Sequence, residues 1–150
     1  MVVLRSPADG GRLVKRVVGV PGDVVELRAQ RLLINGVPAR YSPVDPALLA
    51  RRGADLAPSG AVARETAAGR SHLVMATTRQ GPGSTLGPVR VPAGTYFLMG
   101  DHRDTSYDSR FWGFAERRAI LGRVEGIALS VDYGRHLAPR WGRFFTPLDS

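Results

Sequence analysis

Short apolar runs separated by Gly and Pro dominate the first part of the chain, a pattern typical of β-strands. We predict strands at residues 2–4, 13–20, 24–27 and 31–34. Asn35-Gly36 follows the last of these, and this dipeptide is the strongest short signal for a β-hairpin, so Val37 is expected to start the return strand.

The middle of the chain changes character between residues 41 and 60, where Asp45-Pro46 precedes an Ala- and Leu-rich stretch. A short helix is predicted there, with Asp45 as N-cap, Pro46 at its first position and Gly53 just past its end. Residues 61–66 and 72–78 are predicted to form a strand pair, and the Gly- and Pro-rich residues 80–88 a loop.

The last third again favours strands, at residues 89–91 and 95–99, followed by a final strand or bent strand pair at 120–131 with Gly122 and Gly126 as bulge or bend points. A polar loop fills 101–110, and 135–150 are expected to be an irregular tail. The whole pattern predicts a mainly antiparallel β protein with little helix. We expect a barrel-like core of residues 1–30 and 88–134, with an inserted β-rich subdomain at 31–87.

Composition narrows the class of protein. A length of 150 residues, 43% hydrophobic and 23% charged, is ordinary for one globular domain and excludes a disordered or fibrous chain. No apolar stretch approaches the roughly 18 residues of a membrane span, and no signal peptide starts the chain. The absence of Cys excludes disulfide and thiol chemistry.

The charge is strongly basic, with a net charge of +8 and a pI near 11.1. Nucleic acid or an anionic membrane is therefore a conceivable partner. The arginines are scattered, however, and neither a run of five like charges nor a nucleic-acid-binding motif is present. A solvated basic surface is the favoured interpretation, followed by attraction to lipid headgroups, and specific nucleic-acid binding is not expected.

Lys15 is the only lysine among the 21 basic residues. Arg cannot lose its proton in a protein, whereas burial can turn a Lys into a neutral amine, which makes Lys15 a candidate general base. Strand alternation places Lys15 on one face with Leu13 and Val17, where desolvation lowers the pKa of the amine. The alternatives are chance survival of one Lys and an edge-strand Lys that reaches water.

The polar loop from Asp101 to Arg110 carries charges that alternate in sign. Three Asp and one His suggest a metal site, but the spacing fits no EF-hand and the arginines compete for the carboxylates. A salt-bridged surface loop is the second interpretation. The third is a polar network in which Ser or Thr hydroxyls hold a catalytic neighbour in place.

These two segments together resemble the type I signal peptidase (leader peptidase) family. Residues 14–23, VKRVVGVPGD, resemble the family's lysine box, and residues 100–113, GDHRDTSYDSRFWG, resemble its downstream box, usually written GDNRDNSxDSRYWG. His102 and Thr105 replace the usual Asn residues. Further similar positions are residues 33–36, Glu65 with His72, residues 91–97 and residues 122–123, so that the resemblance runs from about 2 to 132.

The resemblance implies a Ser–Lys dyad hydrolase that uses neither a cofactor nor a metal. Lys15 corresponds to the general base and Ser106 to the residue that orients its amine. Gly100 would leave room beside that amine. The strand containing Leu13 and Val14 would pair with an extended substrate. The supporting polar residues would be Asp101, Arg103, Asp108 and Arg110.

The family's nucleophile lies in a Ser-Met-x-Pro segment several tens of residues before the Lys, and a transmembrane anchor precedes it. Only 14 residues precede Lys15 here, and Ser6, the one Ser among them, lacks that motif. The chain is therefore expected to be an N-terminal truncation that carries the base without the nucleophile and is inactive as written. The parent protein would cleave signal-peptide-bearing preproteins at the membrane surface, on the extracytoplasmic (periplasmic) side.

Three alternatives stay open at this point. A nucleophile-less homologue could hold signal-peptide-like segments or regulate an active paralogue. A processing peptidase of a conjugation system uses similar boxes, although the long segment from Glu26 to Pro88 disfavours it. A basic membrane- or nucleic-acid-binding domain would bind in a salt-dependent manner that does not need Lys15.

Overall fold

Antiparallel β-strands dominate the computed structural model, which describes residues 1–51, 60–77, 81–127, 131–132, 138–139 and 146–147. The strands are β1 (Val2–Arg5), β2 (Arg12–Gly19), β3 (Val24–Arg28), β4 (Arg31–Ile34), β5 (Val37–Pro38), β6 (Arg40–Pro43), β7 (Gly60–Ala67), β8 (Arg70–Thr77), β9 (Leu86–Arg90), β10 (Thr95–Met99), β11 (Ala115–Glu116), β12 (Ile120–Arg123), β13 (Gly126–Ile127), β14 (Val131–Asp132), β15 (Ala138–Pro139) and β16 (Thr146–Pro147). The helical segments are α1 (Pro46–Arg51), α2 (Ser109–Trp112) and a 3₁₀ turn at Arg117–Ala119. The predicted mainly β class is confirmed.

A five-stranded sheet in the order β11-β10-β2-β1-β12 forms the centre of the fold. Leu4, Leu98 and Ala115 are fully buried on it, and Leu13 and Val17 pack against them. Full burial of a Leu side chain such as Leu4 or Leu98 contributes about 1.5–3 kcal/mol. Strand β2 lies inside this sheet, so the residues that it carries have a fixed position.

A four-stranded sheet in the order β5-β4-β3-β9 packs against the first. Its core side chains Val25, Leu27 and Leu32 cluster with Phe97 and Met99 of β10. Gly19 permits the close approach, because a Cβ there would lie 2.6 Å from Val25 Cγ2. The predicted Asn35-Gly36 hairpin is present, with the positive φ angles (53° and 78°) that a type I′ turn requires at both positions.

A three-stranded sheet in the order β6-β7-β8 is the third, and two two-stranded sheets, β13-β16 and β14-β15, are also present. The three-stranded sheet reaches the loop after β10 through Met75, whose N–H donates to Asp101 O at 2.8 Å and whose carbonyl accepts from Arg103 N at 2.8 Å. In the four-stranded sheet, β3 of the predicted core segment 1–30 pairs with β4 of the predicted insert 31–87. The division into a core and an inserted subdomain stays a prediction.

Several element boundaries differ from the prediction. Residues 86–88 belong to β9 and not to a loop, because Leu86 pairs with Leu27 across the sheet. Pro88 is tolerated there because β9 is an edge strand. Of the two alternatives predicted for 120–131, a single strand and a bent strand pair, the structure shows two strands, β12 and β13. Strands β15 and β16 lie in the predicted tail and pair with β14 and β13.

The predicted short helix is present as α1. Asp45 Oδ1 accepts a hydrogen bond from Ala47 N at 2.8 Å, as an N-cap does. Gly53 lies outside the described residues. Helix α2, which begins at the end of the predicted polar loop and extends two residues beyond it, and strand β6 are additions that the hydrophobic pattern does not indicate.

Candidate active site

Lys15 lies on β2 where the pairing of this strand changes from β1 to β10. Lys15 itself pairs with Val2 of β1, and the pairing of β2 with β10 ends at the next residue, Arg16, opposite Met99. Leu13 and Val17, its neighbours on the same face, are half-buried against the core, as strand alternation predicts. Burial lowers the pKa of Lys15, the charge of Arg110 lowers it further, and Asp108 partly opposes both.

Ser106 is the hydrogen-bond partner of Lys15. Its Oγ lies 2.7 Å from Lys15 Nζ, although 91 positions separate the two residues in the chain. The Ser106 backbone N–H donates to His102 O at 3.1 Å, which closes the loop behind it. The amine is therefore held by a neutral hydroxyl rather than extending to water.

Gly100 leaves the space that Ser106 occupies. A Cβ at this position would lie 2.2 Å from Ser106 Oγ and 2.5 Å from Ser106 Cβ, far inside van der Waals contact. It would also lie 3.5 Å from Lys15 Nζ. Any side chain at Gly100 would thus displace Ser106, while the room beside the amine that the resemblance implies for Gly100 stays a prediction.

Asp108 and Arg110 form a buried ion pair beneath Ser106. Arg110 Nε and Nη2 donate to the two Asp108 oxygens at 2.8 and 2.9 Å, and Gly100 N donates to Oδ2 at 2.9 Å. Burial raises the pKa of Asp108, but the hydrogen bonds from Arg110 and Gly100 outweigh this and lower it below its usual value. Arg110 Nη2 also donates to Ser106 O at 3.2 Å, so the pair supports Ser106 directly.

The other two supporting residues lie on the far side of the loop. Asp101 accepts two hydrogen bonds from Arg16, at 2.8 and 3.0 Å, and Arg103 donates to both oxygens of Glu65, at 2.8 and 2.6 Å. The carboxylates of Asp101 and Asp108 are thus bound to arginines. Among the described residues, no group of three or more His, Asp or Glu is placed to hold a metal ion.

The proposed substrate strand is the first half of β2. Val14 is 49% exposed, while Leu13 is half-buried. After β10 the chain turns away from β2 towards Met75. Among the described residues, therefore, no strand pairs with Leu13 or Val14 on the side opposite β1. An extended peptide could add to that edge.

Two further buried side chains support the site region, and neither is among the predicted site residues. Ser109 is buried, and its Oγ accepts a hydrogen bond from Leu98 N at 2.9 Å, which ties α2 to β10. Glu65, a residue of β7, is fully buried against the loop of residues 101–108 that follows β10, which we call the site loop. The sequence signals it through the family resemblance, in which Glu65 with His72 is a matching position.

Ser6 lies away from Lys15. It follows β1 in the turn towards β2, with its carbonyl accepting from Gly10 N. Because Lys15 faces Val2, four residues earlier, the strand rise separates Ser6 from Lys15 by about 13 Å along the sheet. Ser6 is therefore not placed to give its proton to Lys15.

Comparison with known proteins identifies the family of this arrangement. The family model described as "Signal peptidase, peptidase S26" matches residues 1–129. A signal peptidase I of Pseudomonas fluorescens is 40% identical over 116 residues, which are 75% of this chain and 38% of that protein. A signal peptidase I of Leptolyngbya laminosa is 29% identical over 120 residues, or 80% of this chain and 42% of that protein.

Among solved structures, a signal peptidase I of Enterococcus faecalis V583 is 28% identical, with a TM-score of 0.47 over 82% of this chain and 91% of that one. The family match covers most of the sequence, and the chain belongs to the signal peptidase (peptidase S26) family. It spans less than half of the length of the first two curated relatives. Within the described segments, none of the helices has the length and apolarity to cross a bilayer.

Proposed function

We propose that this chain supplies the general base of a Ser–Lys peptidase that removes signal peptides from secreted preproteins. One observation carries the proposal: the desolvated amine of Lys15 lies 2.7 Å from Ser106 Oγ, beside an unpaired strand edge. The geometry suits a positioned base better than a surface lysine. Membership of the signal peptidase family supports the substrate class.

The chemistry requires a neutral amine. A lysine with an ordinary pKa of about 10.4 is neutral in only about one molecule in 2,500 at pH 7, and each unit by which the pKa falls raises that fraction tenfold. Burial of Lys15 acts in this direction. Ser106 occupies one hydrogen-bonding direction of the amine and so orients the remaining ones towards the reacting serine.

In the proposed mechanism, neutral Lys15 takes the proton of a serine hydroxyl as that oxygen attacks the scissile carbonyl. The protonated Lys15 then gives its proton to the departing amine, and an acyl-enzyme remains. Water, deprotonated by the same amine, then attacks the acyl carbonyl; the bond to the serine oxygen breaks, and Lys15 returns the proton to that oxygen. Residues 12–14 of β2 would hold the substrate as an added strand, with Leu13 and Val14 contacting its side chains.

By the family resemblance, the reacting serine would belong to a Ser-Met-x-Pro segment, a motif that does not occur in these 150 residues. Among the described serines, Ser106 is the one hydrogen-bonded to Lys15, and Ser6 is distant from it. The parent protein would be anchored at the extracytoplasmic face of a membrane and would meet its preprotein substrates there. No specific nucleic acid is expected as a partner.

A chimera tests this function. The chain is fused behind the anchor and serine segment of the Pseudomonas fluorescens relative, and cleavage of a preprotein is followed. Lys15→Arg is expected to abolish cleavage, because Arg keeps the charge but cannot act as a base. Arg5→Lys, the reverse exchange at an exposed position of β1, is the control and is expected to retain activity.

Cleavage by the Lys15→Arg chimera at the rate of the parent would overturn the assignment of the base. A folded parent chimera that binds signal peptides without cleaving them would also overturn the proposal, in favour of a binding module.

A further inference from the structure

A buried polar cluster lies behind the site, on the sheet β6-β7-β8. It consists of Glu65, Arg103, Tyr41 and His72, and we refer to it as the Glu65 cluster. Glu65 is 0% and Arg103 3% exposed. Tyr41 Oη donates to Glu65 Oε2 at 2.6 Å, while His72 Nε2 lies 3.2 Å from Oε1 without hydrogen-bond geometry.

The charges of this cluster are tightly coupled to each other. Burial alone raises the pKa of Glu65, but the contacts with His72 and Arg103 outweigh it and lower the pKa to about 2. The same surroundings raise the pKa of Tyr41 to about 12, with burial as the main cause. Glu65 is therefore a buried carboxylate whose charge is balanced by Arg103.

The cluster is connected to Ser106 through only a few bonds. Arg103 lies three residues before Ser106 in the site loop, and its backbone N–H donates to Met75 O on β8. His102, between Asp101 and Arg103, accepts the hydrogen bond from Ser106 N. The side chain of Arg103 and the backbone around Met75 thus attach this loop to the sheet β6-β7-β8 at two places.

A buried ion pair is a poor source of stability, because desolvation of two charges offsets their attraction. Its geometric effect is stronger, since a bidentate Arg–carboxylate pair restricts both distance and direction. An apolar pair could fill the same space without restricting the loop in this way.

We propose that Glu65 and Arg103 are positioning residues, whose bidentate pair holds the site loop so that Ser106 reaches the Lys15 amine. The inference rests on the proposed role of Lys15 as general base. The sheet β6-β7-β8 thereby helps to position Ser106, although Glu65 does not contact the reacting atoms. Loss of the pair would let Ser106 retreat and water reach the amine.

The composition of the chain supplies a direct probe. Lys15 is the only lysine, so labelling with ¹³C,¹⁵N-lysine gives one side-chain signal in the NMR spectrum, and its pH titration reports the pKa of that amine. The nearby charges that act on Lys15 are Asp108 and Arg110, and both are unchanged in the variants below.

Glu65→Gln is the main variant, and its Lys15 signal is expected to titrate at higher pH than in the parent chain, towards the value of a solvated lysine. Glu26→Gln is the matched control, because it breaks the bidentate pair of Glu26 with Arg28 on β3, away from the site, and is expected to leave the titration unchanged. In the chimera, Glu65→Gln is expected to lower kcat about 100-fold with little change in KM.

Tyr41→Phe keeps the ring and removes one hydrogen bond to Glu65, and so provides a milder variant if Glu65→Gln does not fold. A smaller upward shift of the same titration is expected. An unshifted Lys15 titration in a folded Glu65→Gln chain, or in Tyr41→Phe where Glu65→Gln is unfolded, would overturn the inference. Failure of the proposed function is seen separately, as an ordinary lysine titration in the parent chain.

Discussion

Substitution of Gly100 by Ala tests how closely the site is packed around Ser106. The added Cβ would lie 2.2 Å from Ser106 Oγ, and ordinary contact begins at 3.4 Å, so Ser106 must move by about 1.2 Å. Movement directly away from Lys15 would lengthen the 2.7 Å hydrogen bond to about 3.9 Å, beyond hydrogen-bonding distance. A misplacement of about 1 Å in such a site costs about 100-fold in rate, or about 2.7 kcal/mol.

Preprotein cleavage by the chimera measures this effect, with the Lys15 NMR signal of the chain as a second readout. Gly122→Ala is the control, because a Cβ at Gly122 meets nothing within 4 Å. Gly100→Ala is expected to lose most of its activity and to shift the Lys15 signal, while Gly122→Ala does neither. Full activity of Gly100→Ala with an unchanged Lys15 signal would refute the packing argument.

Three further predictions concern stability, each measured by urea unfolding. Ser109→Ala leaves the buried Leu98 N–H without its acceptor and is expected to cost about 1–3 kcal/mol; an unchanged midpoint would contradict this role. The pKa of Glu65 falls from 4.5 to about 2 on folding, so this group contributes on the order of 3 kcal/mol to the free energy of unfolding above pH 4.5. That contribution is lost as the pH falls towards 2. An equal loss of stability over the same pH range in Glu65→Gln would argue against it. Because folding lowers the pKa of Lys15, the unfolded chain binds more protons between the folded and unfolded pKa values, and stability rises with pH across that window. Lys15→Met is therefore expected to be more stable than the parent at pH 7, by a margin that shrinks towards pH 10.4, and a constant margin would count against a perturbed amine.

Local patterns predicted those features that depend on neighbouring residues. Strand alternation placed Lys15 beside Leu13 and Val17, and Asn35-Gly36 indicated its hairpin, because both signals act over a few residues. The two boxes named Lys15 and Ser106 as a pair, and the structure brings their side chains together.

Features that depend on distant pairing were not predictable in this way. The assignment of residues 86–88 to β9 follows from pairing with β3, about 60 residues earlier in the chain. Helix α2 is one turn long and owes its place to the Asp108 cap and to the bond between Ser109 and Leu98, since so short a helix is unstable alone. The partnership of Glu65 with Arg103 joins β7 to the loop after β10 and has no local signal.

The pKa of Lys15 in the parent chain tests the central claim most directly. With ¹³C,¹⁵N-lysine as the label, the single side-chain signal is followed from pH 5 to pH 12, and a short lysine-containing peptide serves as the reference. The account predicts a midpoint clearly below that of the peptide, because burial disfavours the charged amine. A midpoint equal to that of the peptide, near 10.4, would contradict Lys15 as a general base.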